Sequence, residues 1–493
     1  MSDATRRIVG PFNRVEGDLE VQLEVSGDRV ERAWVVSPLY RGFEQILRDK
    51  DPLDALVYVP RICGICSVAQ SVAAARALAS LEGLAAPRNG ELATNLVLAN
   101  ENVADHLTHF YLFFMPDFAR ETYAGEAWYG EAAARFRAVS GSAAAQVLPA
   151  RAEFLHLMGL LAGKWPHSLA LQPGGTTRSV ESGDRARVLA VLFGFRQFLE
   201  RCLFGDALEN IVALDSAQAL EDWCAHRAPV HSDFRHFLHI AEQLQLQNLG
   251  RAQDRFMSYG VYPADGTPLF APGVFSLDNG TTQPLEQSAI REDSSHTWNT
   301  QGLDAAHPYD GVTQPNLDNQ QAYTWCKSPR LGESPVEVGA LARQVVNGHP
   351  LLRDLVQQSG GNVRNRIVAR LLEIALVVIA MEGWARQLRP KEPFCHSANP
   401  PDEARGYGMI EAARGSLGHW ISVQRGRIAN YQIIAPTTWN FSPRDIRGAP
   451  GPLELALQGA PLRADESGGA RRDPVAVQHI VRSFDPCMVC TVH

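Results

Sequence analysis

Three things are missing from this chain: a block of like charge, a long uncharged apolar run, and a dense set of cysteines. Its 46 Lys and Arg are scattered among 54 Asp and Glu, for a formal net charge of −8 over 493 residues. With no cationic stripe to meet phosphates, neither nucleic acid nor an anionic membrane is an implied partner. The longest apolar stretch, Ile367 to Ala385, is broken by Arg370, Glu373 and Glu382. A bilayer span needs about 20 nearly uncharged residues, so this stretch reads as a buried helix, and no direct membrane insertion is expected. Arg6 and Arg7 have no apolar run behind them, so no secretory signal is read there and a cytoplasmic location is expected. Eight cysteines are too few for a disulfide framework in a chain this long. What remains is an ordinary globular composition, 45% hydrophobic and 20% charged, which names no function.

The patterning does predict an architecture. Residues 19–25 alternate apolar and charged, as a half-buried strand does, and Gly27-Asp28 turns the chain into a second extended run near 30–37. Helical spacing runs from Val68 to Leu84 and, after Pro87, from Asn89 to Met115. It recurs at 183–213, 230–248 and 336–388. The stretch 256–335 is rich in Gly, Pro, Asn and Thr, the composition of loops and short strands. No internal repeat or clean linker divides the chain, so one large multi-lobed domain is expected over 1–493. Its parts would be N-terminal strands at 8–40, a helical body at 50–250 and 336–430, a loop and β-rich insert at 256–335, and a C-terminal segment at 476–493. The Gly/Pro/Ala-rich stretch 445–475 reads as a surface excursion. The fold class is mainly α with β-rich additions.

Four of the eight cysteines form two Cys-x-x-Cys pairs, Cys63/Cys66 in Arg-Ile-Cys-Gly-Ile-Cys and Cys487/Cys490 in Asp-Pro-Cys-Met-Val-Cys. The others, at 202, 224, 326 and 395, read as packing or incidental thiols. Each pair's spacing lets two thiolates face one metal, and only a tertiary fold could unite pairs from opposite ends of the chain. Four thiolates favour zinc, an iron–sulfur cluster, or nickel with iron. On spacing alone a structural zinc site is the default. A thioredoxin-like redox motif is weaker, since neither pair sits in a βαβ unit. The setting weighs against zinc, because the pairs are flanked by Ile, Val and Met. Four buried thiolates demand positive charge beside them, which suits metal chemistry better than stapling.

These two segments, the second extended to Thr491-Val492-His493, resemble the metal-binding motifs of [NiFe]-hydrogenase large subunits. Four more segments match that family in order: Arg14-Val15-Glu16-Gly17, Arg41-Gly42-Phe43-Glu44, Glu411 to Gly415, and Ala435 to Asn440. The resemblance runs from residue 8 to 493. It implies the family's large-subunit fold, with a central long-helix bundle and an N-terminal hairpin or sheet. It also implies a nickel–iron centre whose iron carries carbon monoxide and two cyanides. Carried over by motif position, Cys63, Cys66, Cys487 and Cys490 bind nickel, with Cys66 and Cys490 bridging to iron. The implied reaction is heterolytic cleavage of dihydrogen, a very weak acid that needs both a metal and a base.

The resemblance assigns further roles. Arg414 matches the arginine that leans over the open face of the metals, and Asp105 and Asp485 match the aspartates that hold it. Pro436 and Thr437 match the segment that bonds the cyanides. Glu16 matches the glutamate that passes protons from a terminal cysteine. Glu44 and His493 match ligands of a buried magnesium. The implied partners are an iron–sulfur small subunit that takes the electrons, and maturation proteins, since family members are generally cut after this histidine once nickel is inserted.

Five departures point to one branch. Asp18 stands where uptake enzymes of the family have histidine, as does Gln70, and Ala413 replaces the proline before the arginine. Ile65 and Phe113 match gas-tunnel positions where most members carry Val and Leu. Together these departures resemble the regulatory, hydrogen-sensing hydrogenases. Those are slow hydrogen-oxidising enzymes that signal to a histidine kinase, here expected as a dimer of heterodimers. Alternatives are a respiratory uptake hydrogenase and, from another class, a zinc-stabilised interaction protein.

Overall fold

The computed structural model describes residues 5–300, 302, 304–463, 466 and 474–493. The N-terminus forms an antiparallel sheet, β1 (Thr5–Val9), β2 (Glu20–Ser26) and β3 (Arg29–Val36), in that order. Val21 and Leu23 are buried on one face of β2, as the alternation requires. Gly27, at φ +63°, makes the turn into β3.

Two helices follow, α1 (Ser67–Glu82) and α2 (Arg88–Thr108). α1 ends at Gly83 in the left-handed conformation that closes a helix C-terminus, and Pro87 precedes α2. α2 continues through a π-helical turn, His109–Phe114. It packs along α3 (Val363–Gln387), the long helix expected at Ile367–Ala385. Both are buried on most faces, and they form the centre of the molecule. Arg370 and Glu373 of α3 lie in this interior, Glu373 forking onto Arg343 at 2.7 Å and meeting His106 at 3.1 Å. Paired in this way, the charges are tolerated in a core that would otherwise expel them. Among the described residues no helix is long and apolar enough to cross a membrane.

The expected loop-rich insert is present as short antiparallel pairings between Arg255 and Leu331. The expected helical body, however, does not extend to 430. Residues 404–434 are a three-stranded meander, β4 (Ala404–Ala412), β5 (Gly415–Gln424) and β6 (Arg427–Ile434). Its β5–β6 turn, Arg425-Gly426, has positive φ at both residues, the signature of a tight hairpin. β4 lies directly on α1. A β-carbon at Gly408 would fall 2.0 Å from the Ala73 carbonyl oxygen, and one at Gly406 2.6 Å from that of Ala77.

The stretch read as a surface excursion is also different. The short helix Pro452–Ala456 is buried, and Glu454 accepts from Val35 N at 3.1 Å and from the Tyr323 hydroxyl at 2.7 Å. Leu453 and Ala456 of this helix and the following Leu457 join the core, which composition alone does not reveal. Part of that stretch, 464–465 and 467–473, lies outside the described residues. The last helix, α4 (Val475–Phe484), leads into the C-terminal segment.

Candidate metal centre

The first cysteine pair spans a sharp change of backbone. The turn Val59–Ile62 ends in Cys63, which is extended, and Cys66 is the N-cap of α1. The second pair follows α4, where Asp485 adopts φ +58° and breaks the helix before Pro486 and Cys487. The segment at Glu16 holds this strand in place: Met488 N donates to Glu16 O at 2.7 Å and Glu16 N to Pro486 O at 3.4 Å. Gly17 permits the approach, since a β-carbon there would meet Val489 N at 2.9 Å. Arg41 fastens the two halves together. Its guanidinium donates to the carbonyls of Ile62, Arg61 and Val489, and its N–H donates to Val492 O at 2.9 Å.

All four sulfurs converge, within 4.8 Å of one another and buried. Cys487 and Cys490 are 3.0 Å apart, Cys66 and Cys490 3.3 Å, and Cys63 and Cys487 3.5 Å. These edges are shorter than the about 3.8 Å of a regular tetrahedron with metal–sulfur bonds of about 2.3 Å, the geometry of structural zinc. The thiols also strain against one another: hydrogen bonds from the other three hold Cys63 well below the usual thiol range, while Cys66 and Cys487 are pushed well above it. Four thiolates can coexist here only around a cation, so the donor set fits a soft or borderline metal centre.

Arg414 forms the tip of the β4–β5 hairpin and is 3% exposed. Its two terminal nitrogens fork onto Asp105 of α2, Nη2 also reaches Asp485 Oδ1 at 3.2 Å, and Nε donates to Asp485 O at 3.0 Å. Burial pushes the Asp105 carboxyl up to about 7 against the pull of Arg414. For Asp485 burial pulls the same way but is overcome by Arg414, His109 and Arg370, which hold it low. Thr437, in the short helix Pro436–Asn440, accepts from Cys487 N through its hydroxyl at 3.0 Å. Glu16 is half-buried, its carboxyl raised by burial and by Cys63.

Glu44 and His493 meet on the far side of Cys490. His493 Nδ1 lies 2.7 Å from Cys490 O, and Nε2 lies 2.7 Å from Ile433 O and 3.3 Å from Glu44 Oε1. A neutral imidazole has one N–H for these acceptors. The spacings of Nε2 from Ile433 O and Glu44 Oε1 bracket the about 3 Å that adjacent ligands of an octahedral cation at about 2.1 Å would show. The residues present therefore fit magnesium. Burial opposes it, yet Lys327 and His493 hold the Glu44 carboxyl down at about 2.

Of the residues expected at the site, the structure places Arg414, Asp105, Asp485, Thr437 and Glu16 around the cysteine segments and brings Glu44 together with His493, while Pro436 begins the short helix that carries Thr437. Other participants were not read in advance. Arg370 donates to Phe484 O at 3.1 Å and to Asp485 Oδ2 at 3.4 Å. Lys327 donates to Glu292 at 3.0 Å and Gln432 at 2.9 Å beside Glu44. Glu101 receives the first turn of α1. The one available signal was charge inside an apolar helix, which marks Arg370 and Glu373; nothing local marks Glu101 or Lys327.

The family model described as nickel-dependent hydrogenase matches residues 41–146 and 142–493. The chain is 29% identical to the periplasmic [NiFeSe] hydrogenase large subunit of Desulfomicrobium baculatum, over 98% of this chain and 94% of that one. It is 26% identical to the uptake hydrogenase large subunit of Cupriavidus necator, over 100% and 96%. The solved [NiFeSe] hydrogenase of D. vulgaris Hildenborough superposes with a TM-score of 0.84 at 28% identity, covering 99% of this chain and all of that one. The match to a nickel-dependent family removes the structural zinc reading.

Proposed function

The chain belongs to the nickel-dependent hydrogenase family, and we propose that within it the chain serves hydrogen sensing. It is the large subunit of a [NiFe] hydrogenase, an oxidoreductase acting on dihydrogen. The observation that carries the chemistry is the buried four-sulfur cluster beside an arginine pinned by two carboxylates.

Cys63, Cys66, Cys487 and Cys490 would hold nickel, Cys66 and Cys490 would also reach the iron, and Pro436 and Thr437 would border its cyanides. When bound, the nickel–iron group, with its carbon monoxide and cyanides, supplies the Lewis-acid and two-electron chemistry that polarises dihydrogen. The protein's own residues supply the rest. Arg414 keeps a fixed cation at the cluster, and Asp105 and Asp485 stop its guanidinium from turning away. Glu16, with its carboxyl raised, holds a proton at a carboxylate oxygen beside Cys63 and passes it toward water. The apolar shell lowers the local dielectric, so each charge acts more strongly than it would in water. Glu44, His493 and the Ile433 carbonyl would hold magnesium, tying the C-terminal residue to β6.

Five positions support the sensing role. Gln70 is buried and its Oε1 accepts from His419 Nε2 at 2.8 Å, so an amide that cannot carry a proton stands where uptake enzymes have histidine. Asp18 and Ala413 are two further departures, and the half-buried Ile65 and Phe113 add bulk at the gas-tunnel positions. In this reading the chain pairs with an iron–sulfur small subunit in the cytoplasm, as a dimer of heterodimers, and signals to a histidine kinase. Purified complex should contain nickel and iron near one each, show carbonyl and cyanide infrared bands, oxidise hydrogen slowly, and change kinase autophosphorylation with hydrogen. Kinase activity indifferent to hydrogen would refute the sensing role. The likeness to the Cupriavidus necator uptake enzyme favours a second reading, respiratory uptake. Fast hydrogen oxidation and a precursor extending past His493 would select it.

A further inference from the structure

We propose that Glu101 is a positioning residue for Cys66 and tunes the electron richness of the metal centre, through a carboxylate cap supplied from the neighbouring helix. The inference rests on the reading of the four cysteines as nickel–iron ligands.

α1 begins with Cys66 at its N-cap, where a Ser, Thr, Asp or Asn side chain ordinarily takes the N–H groups two and three residues on. Cys66 makes no such bond, because its sulfur faces Cys490. Glu101 of α2 takes those two N–H groups instead: Val68 N donates to Oε2 and Ala69 N to Oε1, each at 2.9 Å. Oε2 also accepts from Trp165 Nε1 at 2.8 Å, with the Ser67 hydroxyl 3.4 Å away. The Ser67 oxygen accepts from His167 N at 3.3 Å, and the His167 ring Nδ1 lies 3.0 Å from the carbonyl of Pro60, in the turn that ends at Cys63. One side chain thereby ties the helix behind Cys66 to the segment 165–167 and, through two further contacts, to the turn before Cys63.

The chemistry calls for a carboxylate. Three N–H donors converge on the group, so an amide would turn its own N–H toward at least one of them. Glu101 is 2% exposed, and a charge in such surroundings reaches the adjacent sulfurs with little screening. Burial pushes its carboxyl up to about 8 while Val68, Trp165 and Ala69 pull it down, and Cys63 adds to the upward push, so the carboxylate and the sulfur cluster feel one another's charge. Groups just outside a metal's ligands both orient them and set how strongly they donate.

The test compares the intact complex with its Glu101→Gln and Trp165→Phe variants, measuring nickel and iron content and the infrared stretch of the iron-bound carbon monoxide. At about pH 10, above the value of about 8 to which burial raises this carboxyl, Glu101→Gln removes a buried negative charge and should move the carbonyl band to higher wavenumber with metal retained. Trp165→Phe keeps the charge but removes a donor that disperses it, so the band should move lower. Trp165→Phe leaves the α1 cap untouched, so it carries the test alone if Glu101→Gln does not fold. Unmoved bands in metal-loaded variants would overturn the inference and leave Glu101 a plain helix cap. Absence of nickel or of the carbonyl band in the unmodified complex would instead overturn the nickel–iron reading.

Discussion

Arg414 grips Asp485 twice, through Nε to its backbone carbonyl at 3.0 Å and through Nη2 to its carboxylate at 3.2 Å. The tip of the β4–β5 hairpin is thereby locked to the residue two before Cys487, and the same guanidinium forks onto Asp105 in α2. Three distant pieces of chain are held in register over the sulfurs by one side chain.

Arg414→Lys keeps a cation but loses the planar fork. Nickel and iron content should be retained while hydrogen oxidation falls on the order of 10²-fold, the size of effect that follows removal of one oriented donor from a preorganised site. Hydrogen-dependent dye reduction measures this, and an unchanged rate would show that the fork plays no part in turnover.

Gly408 has a steric reason to be glycine, since its β-carbon would strike α1 at the Ala73 carbonyl. Gly408→Ala should cost about 2–3 kcal/mol in denaturant unfolding, as overpacking does, and lower nickel content, because α1 begins at Cys66. Gly183→Ala is the control. It lies exposed in the helix Ser182–Phe198 with nothing within 4 Å of a β-carbon, and should be neutral or stabilising.

His479 links pH to stability. Burial lowers it to about 4, below the unfolded value of about 6.5. Its folded pKa is depressed, so its contribution is complete above pH 6.5 and is lost as pH falls toward 4. The loss should be on the order of 3 kcal/mol by pH 4. His109 and His419, each lowered to about 3 by burial, act in the same direction. Thermal unfolding scanned from pH 7 to 4 should show a steep decline that His479→Gln makes shallower; parallel profiles would contradict the assignment.

The Glu44–His493 triangle should contain magnesium at about one per chain. Glu44→Gln should release it and lower the melting temperature, with nickel retained if the two sites are separable. Elemental analysis before and after chelation reads the result, and an unmodified protein free of magnesium would exclude the cation.

Much of this could be read from residue order alone. The two cysteine pairs, the Glu-Ala-Ala-Arg-Gly segment, the strand alternation at 19–25 and the helical spacing of α1, α2 and α3 are short-range patterns, written within a few turns of chain. The sheet at 404–434 and the burial of 452–457 carry no such short-range signature, because the glycines of a strand and the apolar residues of a short buried helix leave no periodic trace.

Residue order decided which groups were available to the site: four thiols and carboxylates able to bind metal, and an arginine able to offset their charge. Only the tertiary structure decided that Glu101, Arg370 and Lys327 stand beside them, and that two N–H groups orphaned at Cys66 are satisfied from another helix. The reason is physical. A buried charge or donor must find its partner wherever the chain happens to pass, and distance along the backbone places no limit on that choice.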